Sequence, residues 1–261
     1  SILFALKSKL YEEVIMSGHS KWATTKRKKA KTDVARAKAW NKLIKEISIA
    51  AKLGGGNPDA NPRLRAAILK SKSQSLPTKN IESAIAKGTG ANSGADVTEP
   101  MYEGRGPGGI AILVKCMTDN KVRTVAEVRN IFNKNNGSMG EAGSVAWAFT
   151  YKGVIIVDAE KYPEDQVMDL VLEAGAEDMS TEDGVHEIST APETFDAVSR
   201  ALEAANIEMM SAELSYVPND PVKLGHDDAQ KLLKLIDKFE DHDDVQDVYH
   251  NAEIDEADMD A

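Results

Sequence analysis

Residues 17–56 read SGHSKWATTKRKKAKTDVARAKAWNKLIKEISIAAKLGGG. From Val34 onward the apolar positions fall at Ala37, Trp40, Leu43/Ile44, Ile47 and Ala50/Ala51. That three-four spacing is one stripe along a helix. Gly54, Gly55 and Gly56 end it, because glycine takes the left-handed cap conformation without steric cost. Ahead of the stripe stand Gly18-His19-Ser20-Lys21-Trp22 and a cationic run, Lys26, Arg27, Lys28 and Lys29, with Lys31 beyond. A helix of this kind needs an apolar neighbour for the stripe and an anionic one for the rest.

The charge of this stretch is opposite to that of the remaining chain. The 261 residues carry a net charge of −10, but residues 1–87 hold 19 Lys and Arg against 6 Asp and Glu, and residues 88–261 hold 13 against 36. The chain is a basic head on an acidic body, which a mean value conceals. One cysteine, Cys116, excludes an internal disulfide framework and a multi-cysteine zinc site, and a reducing, cytoplasmic setting follows. No apolar run approaches the ~18 residues that span a membrane. Residues 1–15 read as an upstream extension, with Met16 as the natural start.

Beyond the glycines, Asn61 is a predicted N-cap and Pro62 a predicted first helical residue. The helix that follows, to about Ser73, turns Leu64, Ala67, Ile68 and Ser71 inward. A third short helix carries Ile81, Ala84 and Ile85 and stops at Gly88. Three short striped helices make a bundle. The small, polar residues 88–98 read as a linker.

The period then changes from 3.6 to 2. Met101–Glu103 and Ile110–Cys116 are predicted strands joined by the turn Gly104–Gly109. Thr124 and Glu127 form a capping box ahead of a helix burying Val125, Val128 and Phe132. Val145, Trp147 and Phe149 alternate as a strand, Tyr151-Lys152-Gly153 turns the chain, and Val154–Val157 returns. Helices from Pro163 and Pro192 and strands at Val185–Ser189 and Met209–Val217 complete a ββαβαβ order. Asp227 or Asp228 caps a last helix, and Val245–Tyr249 is the last strand. The pieces before and after this block, ββα and αβ, each make an incomplete sheet and together a whole one.

The expected fold is therefore α+β: an N-terminal helical bundle plus two ferredoxin-like α/β domains with antiparallel sheets, one inserted into the other. The boundaries are 1–15 extension, 16–88 basic bundle, 99–142 with 218–251 a discontinuous domain, 143–217 the inserted domain, and 252–261 a disordered acidic tail.

Residues 17–72 hold 15 basic and 3 acidic residues, and a merely solvated face would mix signs. Lys21, Lys26, Arg27, Lys28, Lys29, Lys31, Arg36, Lys38 and Lys42 are candidates for a phosphate backbone, whose binding releases counterions. Arg63 and Arg65 open the second helix, where an N-terminus also favours anions. Lys121 and Arg123 open a later helix and form a second candidate contact. His19 is a candidate phosphate contact, and Trp22 either stacks on a base or anchors the helix start. The turn Gly104–Gly109 joins two strands and lacks the GK[ST] of a phosphate loop, so it reads as a hairpin with Arg105 at its tip. His226-Asp227-Asp228 and His242-Asp243-Asp244 lack convergent metal-ligand spacing, and Cys116 alternates into the core. No triad or paired carboxylates stand out. No enzyme activity, metal, cofactor or small-molecule substrate is expected, and a monomer is favoured over an oligomer.

The segments MSGHSKWATTKRKKAKTD, AAKLGGGNPDANPRLRAAI, YEGRGPGGIAILV, TDNKVRTVAEVR, GSVAWAF and DDVQDVYHN resemble the YebC/PmpR family, in order, from Met16 to about Asn251. The resemblance implies a cytoplasmic, non-enzymatic protein of three domains. It also implies nucleic acid as the partner, in one of two roles: a DNA-binding transcriptional regulator, or a ribosome-associated translation factor that binds rRNA or tRNA and eases elongation through proline-rich stretches. His19–Trp22 and Lys26–Lys29 match the family's N-terminal motif. A protein-binding adaptor using the acidic body is a third reading. Nothing in the residues separates DNA from RNA.

Overall fold

The computed structural model describes residues 33–90, 97–255 and 258. Among them are seven α-helices and two four-stranded antiparallel sheets, so the chain is α+β. They form two compact units. One joins the bundle to residues 151–215, and the other joins residues 97–150 to residues from 216 onward.

In the first unit, α1 spans Asp33–Gly54, α2 Pro62–Ser73 and α3 Thr78–Thr89. Leu43, Ile47, Ala50 and Ala51 of α1 pack on Leu64 and Ala67 of α2 and on Ile81 and Ala84 of α3. Asn61 fixes the corner between α1 and α2. Its Oδ1 accepts the Leu64 N–H at 3.1 Å, and its Nδ2 donates to Ala50 O and Gly55 O at 2.8 Å. Gly55, at φ +85°, is the residue that must be glycine there. The approach of α3 to α1 requires another: a Cβ on Gly88 would sit 2.2 Å from Ser48 O.

The same unit holds β4 (Phe149–Asp158) from Tyr151 onward, α5 (Glu164–Glu173), β5 (Ala176–Glu182), β6 (Val185–Thr190), α6 (Phe195–Ala204) and β7 (Met209–Pro218) as far as Ser215, with strand order β5-β6-β4-β7. The core is Ile155 and Val157 of β4, Ile188 of β6, Val167 and Val171 of α5, and Val198 and Leu202 of α6. Ala66 and Leu69 of α2 pack against it.

Two expectations are corrected here. The predicted turn at Tyr151-Lys152-Gly153 lies inside β4, so the order is βαββαβ. Gly153 marks a close approach instead, since a Cβ there would lie 2.2 Å from Thr190 Oγ1 and 2.5 Å from Phe195. β5, absent from the sequence reading, buries only Met179 among polar residues and therefore shows no alternation. The hairpin signal was nonetheless present: Asp183 and Gly184, at φ 49° and 78°, are the two-residue turn between β5 and β6.

The second unit holds β1 (Met101–Arg105), β2 (Ala111–Cys116), α4 (Lys121–Lys134), β3 (Ser138–Met139), β8 (Val222–Lys223), α7 (His226–Glu240), β9 (Val245–His250) and β10 (Ala252–Glu253). Strand order is β3-β1-β2-β9, with Met101 opposite Lys115 and Ile112 opposite His250. One face of β2, at Ile112, Val114 and Cys116, packs on Val128 and Phe132 of α4 and on Leu232, Ile236 and Phe239 of α7. Its other face, at Ala111 and Leu113, packs on Val145, Ala148, Phe149 and Tyr249.

Further corrections fall in this unit. Asn120, not Thr124, caps α4, its side chain accepting the Arg123 N–H at 3.0 Å. Gly225 precedes α7, so Asp227 and Asp228 lie within its first turn. The strand predicted at Val145–Phe149 is a 3-10 turn at Ala146–Ala148 leading into β4. The chain from Ala252 is not a free tail as far as it is described: β10 pairs in parallel with β8, and Ile254 is buried.

Candidate nucleic-acid interface

His19, Lys21, Trp22, Lys26, Arg27, Lys28, Lys29 and Lys31 lie outside the described residues. The remaining candidates fall into two groups, one in each unit.

On α1, Lys38, Lys42, Lys45 and Lys52 recur at the spacing of a single helical stripe, opposite the buried Leu43, Ile47 and Ala50. From Lys38 to Lys52 the stripe runs about 21 Å along the axis. Arg36 is exposed, although its position in the helix falls in line with the core stripe. The burial of one face therefore sorts the cations onto the other. That follows from the 3.6-residue period alone.

Arg63 and Arg65 are placed differently. Arg63 Nε pairs with Glu46 of α1 at 2.9 Å. Arg65, with its side chain 14% exposed, lies among three acids: its Nε is 2.9 Å from Asp196, its Nη2 meets Glu203, and its Nη1 is 4.0 Å from Asp59. Arg200 of α6 closes the group, 2.7 Å from Asp196 and 3.3 Å from Asp59. Lys70 adds a pair at 3.2 Å to the buried Glu213 of β7. Arg65 thus ties α2 to α6, reinforcing the packing of Ala66 and Leu69.

In the second unit, Lys121 is exposed at the start of α4. Arg123 Nη2 donates to Asp244 Oδ2 at 2.8 Å and to Asp119 at 3.3 Å. The hydrogen bond to Asp244, with its charge, raises the guanidinium further above its ordinary value. Asp244 Oδ2 also accepts Thr124 Oγ1 at 2.8 Å and Thr118 Oγ1 at 3.2 Å. Among the described residues, Glu127, His242 and Asp244 bring donor atoms within 4.8 Å of one another. Those atoms are engaged: His242 Nε2 meets Glu127 at 2.8 Å, His242 Nδ1 accepts the Asp244 N–H at 3.1 Å, and Arg123 supplies the positive charge. The group is a hydrogen-bonded corner joining α4 to the turn before β9.

The sequence reading missed one feature. Glu103 of β1, 8% exposed, accepts the backbone N–H groups of Gly143 at 2.6 Å and of Val145 and Ala146 at 2.8 Å. Burial opposes its ionisation, but these three bonds outweigh burial and hold the carboxyl below its ordinary range. The loop so fixed carries Trp147, a residue 69% exposed. The signal available was the glycine-rich GSMGEAGS ahead of it; the partner carboxylate, some 40 residues upstream, gave none.

No helix of the described residues is long and apolar enough to cross a membrane. The profile of the TACO1/YebC protein N-terminal domain matches residues 20–91, and that of the TACO1/YebC second and third domain matches residues 97–252. A probable transcriptional regulatory protein of Treponema denticola is 54% identical over 242 residues, 93% of this chain and 98% of its own. One from Carboxydothermus hydrogenoformans is 51% identical, over 92% and 99%. The crystal structure of a conserved hypothetical protein from Aquifex aeolicus aligns with a TM-score of 0.75 at 42% identity, over 88% of this chain and 95% of that one.

Proposed function

The chain belongs to the TACO1/YebC family, and from that premise we propose that it is a non-enzymatic, nucleic-acid-binding regulator of gene expression, acting in the cytoplasm as a DNA-binding transcriptional regulator. The observation that carries the reading is the lysine stripe of α1, which lies opposite the helix's buried face. Cations aligned over about 21 Å suit a phosphate backbone. Residues 16–88 are the binding head in this reading, and Lys26–Lys29 add four cations to its sequence. Lys121 is a second contact. The relatives' names as probable transcriptional regulatory proteins favour the transcriptional role.

The test is a gel shift on duplex DNA beside cosedimentation with ribosomes, each at two salt concentrations. Salt-dependent duplex binding, with discrimination of about 10³-fold or more between sequences, is the expected result. Ribosome binding with weak, sequence-blind DNA binding would transfer the protein to the translational role. Replacing Lys38, Lys42 and Lys45 by glutamine lowers the salt slope by roughly one per lost phosphate contact. An unchanged slope would remove α1 from the interface.

A further inference from the structure

The bundle packs on the inserted domain with no chain connection at the joint. After α3 the chain enters the second unit, and it returns to the first only at Tyr151. Most of what joins α2 to α6 and β7 is charge. Arg65 of α2 faces Asp196 and Glu203 of α6, and Lys70 of α2 meets Glu213 of β7 at 3.2 Å. Asp59, in the corner before α2, meets Arg200 of α6 at 3.3 Å. The apolar share of α2 is Ala66 and Leu69, both only partly buried. A polar contact between two bodies of one chain resembles a transient interface more than a core.

At Arg65 the fit is also incomplete. Its Nε–H is buried and makes no hydrogen bond among the described residues, although Asp196 Oδ1 lies 2.9 Å away. Asp196 is shared, because Arg200 Nε donates to its other oxygen at 2.7 Å. A guanidinium is answered best by one anion that takes two parallel N–H groups, as a single phosphate does. Here the anions are separate side chains, Asp196 and Glu203, roughly two turns apart on α6.

We propose that Asp196 and Glu203 stand in for nucleic-acid phosphates at Arg65, so that the docked bundle is the autoinhibited state of the binding head and a phosphate backbone competes with α6 for it. The inference rests on the function proposed above and adds its regulation. The lysine stripe of α1 meets the nucleic acid in either state, and Arg65 joins it only when α2 leaves α6. The exchange replaces carboxylate by phosphate at one guanidinium. A ligand shifts such an equilibrium by its differential affinity for the two states, and the added Arg65 contact is that difference.

The experiment places spin labels on Ser83→Cys of α3 and Ser180→Cys of β5 in the full chain; both positions are exposed, and the native Cys116 is buried. Pulsed electron paramagnetic resonance at low salt is expected to give one narrow distance, which saturating duplex DNA shifts and broadens. Asp196→Asn with Glu203→Gln produces the shift without DNA and tightens duplex binding about three-fold or more, since the head no longer has to undock. Asp169→Asn with Glu173→Gln, the same change of charge at exposed positions of α5, leaves the distance alone and tightens binding less. One unaltered distance in free and duplex-bound protein overturns the inference and leaves the proposed function standing. So does duplex affinity in the α6 variant no greater than in the α5 variant. Absence of duplex binding at low salt overturns both.

Discussion

Glu103 and Arg65 are both ionised and mostly buried, and the fold uses them in opposite ways. Glu103, on β1, is met by three backbone N–H groups of one short loop. Arg65, on α2, is met by carboxylates, one of them 138 residues further along the chain. The carboxylate fixes a local conformation with neutral partners. The guanidinium ties distant elements together with charged ones. The difference fixes their vulnerabilities: a charge answered by the main chain responds to acid and little to salt, and a ring of ion pairs responds to salt.

Removing Glu103 has the largest expected effect. Glu103→Ala strands three donors, the buried Val145 N–H and the part-buried N–H groups of Gly143 and Ala146, and destabilises the second unit by about 2–4 kcal/mol, with hydrogen exchange at Val145 and Ala146 rising most. A loss below about 1 kcal/mol in urea unfolding would mean that water replaces the carboxylate and that the loop is not clamped. Next is Arg65→Gln, which removes the cation that Asp196 and Glu203 share, leaves Asp196 to Arg200 alone, and costs about 1–3 kcal/mol in the first unit. That loss shrinks in high salt. A salt-independent loss would assign the effect to packing against α6 and erase the contrast with Glu103.

Titration sharpens the comparison. The folded-state value of Glu103 is depressed, so its contribution is present above the ordinary carboxylate range and is lost as pH falls through the lower folded value. Glu103→Gln should flatten the acid limb of a melting-temperature profile; an unaltered limb would place the acid sensitivity elsewhere. The smallest effect has the opposite sign. His226 meets Asp258, and that hydrogen bond, with the carboxylate's charge, raises the imidazole above its usual value. Its contribution is complete below the ordinary histidine value and fades as pH rises through the raised one. Amide exchange at Ile254 should therefore quicken with pH beyond the intrinsic rate, and His226→Gln should abolish the excess. Equal excess in both proteins would show that β10, not the histidine, holds this end of the chain.

The three helices of the bundle were legible because their signals are local: an apolar stripe, Asn61 with Pro62, and glycines at the stop. The lysine stripe of α1 was legible for the same reason, since burying one face decides the other. β5 was not legible, because an edge strand that buries only Met179 has no alternation. Gly153 was misread as a turn because the sequence shows a glycine and not the Thr190 and Phe195 that crowd it. Thr124 and Glu127 matched a capping box, yet Thr124 serves Asp244, a residue 120 positions away.

The sequence by itself determined that this chain is α+β, where its helices run, which face of α1 is cationic, and that its charge is segregated. Each follows from period and composition within a few neighbouring residues. Only the tertiary structure decided which anion each cation meets. It gave Arg65 to α6 and Arg123 to Asp244, and it placed Glu103 beneath the loop that displays Trp147. The pull between charges depends on distance and burial, and neither exists until the chain has folded.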